Sequence, residues 1–256
     1  MRGWSQQGRQ IAAVNRIRDF IHELKRSYVH SELAFSATRH TCDERLPLND
    51  TFDLERLPIK EGERWGSAWQ SSYFILSCDL PKEYEGKELA VRLNLGGEML
   101  VYSESGTPLY GLTSYSHYEK DYLKDTHRIG FHKGKVRLYV EVAANDLFGI
   151  ERDEKKLDRS GKHPEGVWNG IVAYARIGIF DDQRWKLFMA SEFLFDLYQS
   201  IDKDSPRAVR VLGALFDAAL IYPVRGTEAA LSVLTEVLDK PAVPSALSTT
   251  AVGHAH

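Results

Sequence analysis

Cysteine is nearly absent from this chain: Cys42 and Cys78 are the only two in 256 residues, and they lie in dissimilar surroundings. A disulfide framework needs more thiols in a better pattern, so a reducing compartment, the cytoplasm, is expected. Neither sign of charge dominates, since 33 basic and 36 acidic residues leave a formal net charge of -3. That balance excludes the basic footprint of a nucleic-acid binder and the polyanionic tail of a solvated extension. Long apolar runs are also missing. One of the most apolar windows, Phe188 to Tyr198, is broken by Ser191, Glu192 and Asp196, far short of the ~20 apolar residues of a membrane span. The opening Met1-Arg2-Gly3-Trp4-Ser5-Gln6-Gln7 lacks the apolar core of a secretory signal. A soluble protein without membrane or nucleic-acid partners is therefore expected. Phosphate-cradling glycine loops, Cys-x-x-Cys pairs and Gly-x-Ser-x-Gly elbows do not occur, which removes the nucleotide, zinc-ribbon and serine-hydrolase signatures.

What the chain does have is 43% hydrophobic and 11% aromatic residues, enough for ordered cores in two units of moderate size. Ile11, Val14, Ile17, Phe20, Ile21, Leu24 and Tyr28 recur at helical spacing with Ser5 available as N-cap. They predict an amphipathic helix over the first ~25 residues, its stripe docking either within the chain or on a second subunit of a homo-oligomer. From His30 to Gly62 the periodicity is lost and Pro47, Asn49, Asp50 and Pro58 punctuate the segment. Residues 1–62 are thus read as helix and linker.

Between Trp65 and Phe180 short apolar runs alternate with turns. Ser72-Asp79, Glu88-Leu95, Met99-Ser103, His127-Phe131, Val136-Ala143 and Ile171-Gly178 are the predicted strands. Gly96-Gly97, Glu104-Ser105-Gly106 and Lys133-Gly134 supply hairpin turns. This spacing predicts a sandwich of two antiparallel sheets over residues 63–180, with Glu151 to Gly166 as a charged loop. After Phe180 the period returns to 3.6. Leu187, Ala190, Leu194, Leu197, Tyr198 and Ile201 form one stripe, and Ala208, Val211, Leu212, Leu215, Ala219 and Tyr222 a second. Ser205-Pro206 starts the second helix, Pro223 ends it, and a third runs from Thr227 to Asp239. Residues 181–250 form a helical connector, and 251–256 read as the first strand of a further domain. The fold class is α+β.

Candidate chemistry is sparse. His254 and His256 are two positions apart, so on a strand they share a face. The same pair also reads as a plain terminal tail, and a metal site needs further ligands. Trp65-Gly66-Ser67-Ala68-Trp69 with Tyr73-Phe74 is an aromatic cluster, either a platform on which a sugar stacks or a plug in the end of the sandwich. Glu141 and Asp146 are nominally a carboxylate pair for glycoside hydrolysis. They read better as an outward strand residue and as turn chemistry beside Asn145.

Three ordered blocks carry a resemblance. They are the aromatic cluster just named; Gly97-Glu98-Met99-Leu100-Val101-Tyr102 leading to Gly106-Thr107-Pro108-Leu109-Tyr110-Gly111-Leu112; and Tyr139-Val140-Glu141-Val142-Ala143-Ala144-Asn145-Asp146-Leu147-Phe148-Gly149. Together, over about residues 30 to 256, the chain resembles the front of family 38 glycoside hydrolases, the α-mannosidases, in their cytosolic and bacterial branch. The resemblance implies a galactose-binding-like β-sandwich and helices preceding a catalytic domain. It also implies that Gly253-His254-Ala255-His256 is the start of the family's Gly-His-x-His-Ile-Asp strand, with His256 as a metal ligand. The full-length enzyme would be a retaining α-mannosidase acting on mannose-containing glycans, with zinc or cobalt as its divalent ion. Its other ligands, nucleophile and acid/base would lie in a C-terminal catalytic domain, and the 256 residues alone would be inactive. Trp65 and Trp69 are the substrate-binding candidates. The alternative is a free-standing carbohydrate-binding or interaction module without catalysis.

Overall fold

Period-two alternation decides the middle of the chain. Strand β4 (Ser71–Asp79) turns Phe74, Leu76 and Cys78 to one side, and β9 (Lys135–Ala143) turns Val136, Leu138, Val140 and Val142 the same way. The two pair antiparallel in the register that aligns those rows, Phe74 with Val140 and Leu76 with Leu138. In the second sheet β5 (Glu88–Asn94) and β10 (Tyr174–Phe180) do likewise, setting Val91 beside Ile177 and Leu93 beside Ala175. All these side chains meet in one core between the sheets. Each fully buried Val or Leu there contributes about 1.5–3 kcal/mol relative to exposure.

The computed structural model describes residues 6–67, 69–113, 124–144 and 170–239. The remaining strands are β1 (Val29–Ala34), β2 (Ser36–Cys42), β3 (Leu57–Ile59), β6 (Glu98–Tyr102), β7 (Pro108–Thr113) and β8 (Thr126–Phe131). One sheet has the order β1-β10-β5-β8 and the other β3-β2-β4-β9-β6-β7, with every pair antiparallel. Consecutive strands mostly alternate between the two sheets, which is the connectivity of a jelly roll.

Two expectations need correcting. The segment 30–62, read as a linker, supplies β1, β2 and β3. Its signal is lost because Ser31 sits at φ 52° and the β1–β10 register shifts between His30 and Leu33. Such a bulge breaks the alternation. Strand β2 presents Arg39 and Thr41 on the face it shares with Phe74 and Ser72 of β4, so no apolar row marks it. The second correction concerns turns. Of the three expected turns only that at Ser103–Thr107 closes a hairpin, between β6 and β7. Gly96-Gly97 and Lys133-Gly134 carry the chain from one sheet to the other. At Gly97 the demand is space, because a Cβ there would stand 2.4 Å from the Ala143 carbonyl oxygen.

Residues 29–180 form one compact unit; residues 1–28 with 181–256 form the other. In the helical unit α1 (Gln6–Ser27), α2 (Asp182–Ser200) and α3 (Pro206–Asp239) share a core of Ile17, Phe20, Leu24, Leu187, Leu194, Val211, Leu215 and Leu234. The α1 stripe is thus used within the chain. Asp181 caps α2 by accepting from the Arg184 amide at 2.9 Å, and Ser205 caps α3 by accepting from the Ala208 amide at 3.2 Å. The break expected at Pro223 falls instead at Gly226, where φ is 81° and ψ -173°. Proline forfeits its own hydrogen bond and crowds the carbonyl four residues back, yet it can persist inside a kinked helix, whereas a residue at that φ cannot be helical. Among the described residues no helix is long and apolar enough to cross a membrane. Ser5, the Asn145-Asp146 turn, the 151–166 loop, residues 240–250 and the terminal strand at 251–256 lie outside the described residues.

Candidate functional site

The aromatic cluster does not act as one surface. Trp65 is only 1% exposed. Its indole Nε1 donates to the Leu95 carbonyl at 2.6 Å, and its ring meets Phe74 edge-on at 5.8 Å and 83°. The polar tip is satisfied and the ring faces are packed, so Trp65 is a core residue and no sugar can reach it. Trp69 is the opposite, 68% exposed and held at φ 71°. Its amide donates to the Ala144 carbonyl at 2.6 Å. Gln70 ties the same turn to Asp43 through Nε2 at 2.7 Å and accepts from the Ser67 amide at 2.7 Å. A bulky residue in the left-handed region is rare and strained, so the turn holds the indole outward at an energetic cost.

Beside it, Tyr73, Tyr139 and Glu141 lie on the outer face of the larger sheet, where residues 43–56 cover them. The Tyr73 hydroxyl accepts from the Leu46 amide and donates to its carbonyl, both at 2.7 Å. Arg56 donates to the carbonyls of Tyr73 at 2.6 Å and Thr51 at 2.5 Å. Phe52 packs on Tyr139 at 4.8 Å between centroids. Glu141 accepts from Arg45 Nε at 2.5 Å, from Arg45 Nη2 at 3.3 Å and from the Tyr102 hydroxyl at 2.9 Å. Burial, and then its bond to Glu141, pushes the Tyr102 hydroxyl up to about 12. The sequence reading of Glu141 as outward-facing holds, but its carboxylate is engaged by an arginine and a phenol. That is a clasp for the covering segment, and Asp146, its nominal partner, lies outside the described residues.

One concave feature was not nominated from the sequence. Where β6 ends at Tyr102, β9 continues to Lys135, and the turn after β6 and strand β8 wall off a cleft of about 510 Å³. It is lined by Ser103, Glu104, Ser105 and Leu109 on one side and by residues of 127–138 on the other, including His127, Arg128, His132, Lys135 and Arg137. His127 stacks on Tyr110 at 4.3 Å and 16°, and burial lowers its pKa. Lys124 Nζ stands 4.5 Å from the Tyr110 centroid. His132 Nε2 bonds the Ile129 carbonyl at 2.9 Å. Arg128 gives Nε and Nη2 to Glu88 Oε1 at 2.8 and 2.5 Å. The sequence carried a signal for this place: four basic residues and no acid between Arg128 and Arg137.

His254 and His256 lie outside the described residues, and so does any metal they would hold. Among the described residues no three His, Cys, Asp or Glu side chains come together in a way that would hold a metal ion.

Comparison with known proteins brings these observations together. A family described as alpha-mannosidase, jelly roll domain, matches residues 31–170. Human alpha-mannosidase 2C1 is 27% identical over 170 residues, covering 66% of this chain and 16% of that protein. The mouse alpha-mannosidase 2C1 is 25% identical over 169 residues, again 66% and 16%. Alpha-mannosidase G of Dictyostelium discoideum is 23% identical over 167 residues, covering 64% of this chain and 14% of that protein. The chain therefore spans 16% or less of the length of these curated relatives. Its two-sheet unit, from Val29 to Phe180, contains the matched stretch, and the chain belongs to the alpha-mannosidase family through that jelly roll domain.

Proposed function

We propose that these 256 residues are the non-catalytic part of a metal-dependent, retaining α-mannosidase that hydrolyses α-mannosides in glycans or oligosaccharides. The observation that carries this reading is the jelly roll match over residues 31–170, in relatives several times longer than the chain. The sandwich and the helices serve as scaffold, and the nucleophile and acid/base belong to a catalytic domain outside them. In support, the one carboxylate suggested by sequence within the described residues, Glu141, is occupied by Arg45 and Tyr102. His256, on the Gly253-His254-Ala255-His256 segment, is the chain's contribution to a zinc or cobalt site. The described residues do not fit such an ion by themselves, as no cluster of ligating side chains forms among them.

The purified chain, assayed with an aryl α-mannoside in the presence of zinc or cobalt, is expected to give no turnover. Measurable turnover would refute the non-catalytic assignment. Reading frame beyond His256 is expected to continue into the catalytic domain.

The second reading, a carbohydrate-binding module without catalysis, is favoured by the outward, strained Trp69. On that reading mannose oligosaccharides quench tryptophan fluorescence in the wild-type chain and not in Trp69→Ala, and a flat titration of the wild type removes it.

A further inference from the structure

The cleft between the β6–β7 turn and β8 has a charge pattern that the scaffold does not need. Arg128 is committed to Glu88, and Lys133, just outside the lining, lies 3.7 Å from Glu85. Lys135 and Arg137, both in the lining, have no ion pair among the described residues. Arg137 is held with its guanidinium carbon 5.4 Å from the Tyr139 centroid, and its Nε is buried without a hydrogen-bond partner. Glu104 is the one acid among the described residues of the lining. This concentration of positive charge stands in a chain whose net charge is -3, so it is a local feature and not a reflection of composition.

The remaining walls suit a hydroxylated molecule. Ser103 and Ser105 share a hydrogen bond at 2.8 Å, Ser105 reaches Thr107 at 3.2 Å, and the Ser103 hydroxyl also accepts from the Thr107 amide at 3.1 Å; each hydroxyl keeps both donor and acceptor capacity. His127, stacked on Tyr110, offers an aromatic wall. Strand β9 from Lys135 to Leu138 has β4 on one side, and among the described residues no strand pairs with it on the cleft side. A volume of about 510 Å³ lies within the range of small-molecule sites, roughly 300–1,000 Å³.

We propose that this cleft binds a small organic anion, an oxyanion carried on a sugar-sized body, with Arg137 and Lys135 on the oxyanion and the Ser103 and Ser105 hydroxyls on the body. Arginine's planar fork suits phosphate, sulfate and carboxylate alike. The proposal does not rest on the mannosidase reading and stands or falls independently of it.

The test is calorimetric titration of the whole chain at low ionic strength with glucose 6-phosphate, glucuronate, inorganic phosphate and glucose. Glucose 6-phosphate or glucuronate is expected to bind at least ~10-fold more tightly than glucose, since a charge-assisted pair replaces neutral contacts. The stronger of the two tells a tetrahedral from a planar oxyanion. The double variant Lys135→Gln with Arg137→Gln should lose that preference. Glu104→Gln, an exposed change that leaves the cations in place, should strengthen anion binding. No preference over glucose, or a preference that survives the double variant, would overturn the proposal. A variant Glu104→Gln that binds no more tightly than wild type would count against it, and inorganic phosphate binding as tightly as glucose 6-phosphate would remove the sugar-sized body from it.

Discussion

Replacing Trp65 separates a core role from a surface role, and the structure sets the size of the effect. Trp65→Ala removes a fully buried indole from beside Phe74, a class of change that costs about 3–5 kcal/mol. Trp65→Phe is sharper. It keeps most of the apolar volume but deletes the donor to the Leu95 carbonyl, stranding that acceptor at a cost of about 1–3 kcal/mol. With a urea m-value of about 2 kcal/mol/M, the Phe variant should lower the unfolding midpoint by roughly 1 M and the Ala variant by roughly 2 M. Far-UV circular dichroism is the suitable probe, because the strand signal does not depend on the indole removed. Trp69→Gly is the companion measurement. It relieves a left-handed φ of 71° at an exposed position, so it should leave the midpoint unchanged or raise it by up to about 1 kcal/mol of stability. If Trp65→Phe unfolds with the wild type while Trp69→Gly is the costly change, the assignment of core and surface tryptophans is wrong.

Tyr102 should remain protonated until about pH 12, above the ordinary value near 10. Because folding raises this pKa, its contribution to stability is complete below about pH 10 and is lost as pH rises toward 12. Tyr102→Phe should flatten that alkaline loss, and absorbance at the phenolate band of the folded chain reads the titration directly. At Gly97, a methyl group would stand 2.4 Å from the Ala143 carbonyl oxygen. Gly97→Ala should therefore destabilise the chain by about 1–3 kcal/mol, as overpacking does, and an unchanged denaturation midpoint would show that the strands can part there without cost.

Strands with a clear inner row were legible in the sequence. Phe74-Leu76-Cys78 and Val136-Leu138-Val140-Val142 announce themselves because both neighbours in the sheet bury the same face. The strands that escaped notice share a different physics. Strand β2 sets half-buried Thr41 against buried Ser72 through a 2.9 Å hydroxyl contact, a pairing that hydropathy cannot register. Strand β7 is an edge strand that begins with Pro108 and exposes Leu109 and Tyr110, and edge strands neither need an apolar row nor exclude proline. The helices were legible in their stripes, and α3 also in its Ser205 cap, and the displaced break in α3 shows that a φ constraint can outrank a missing amide.

The cleft was illegible for a topological reason. Its walls come from three stretches of chain, 103–109, 127–132 and 135–138, and the last two are close in sequence yet belong to different sheets. A reading that takes Lys133-Gly134 as a hairpin turn lays β8 beside β9 and closes the space where the cleft stands. Once the chain is seen to cross between layers at that turn, Arg128 and Arg137 fall on the two sides of an opening instead of along one ribbon. The run of basic residues then ceases to look like a solvated edge. In a jelly roll the tight turns mark layer crossings as readily as hairpins, so the residues flanking them are where concave sites are to be sought.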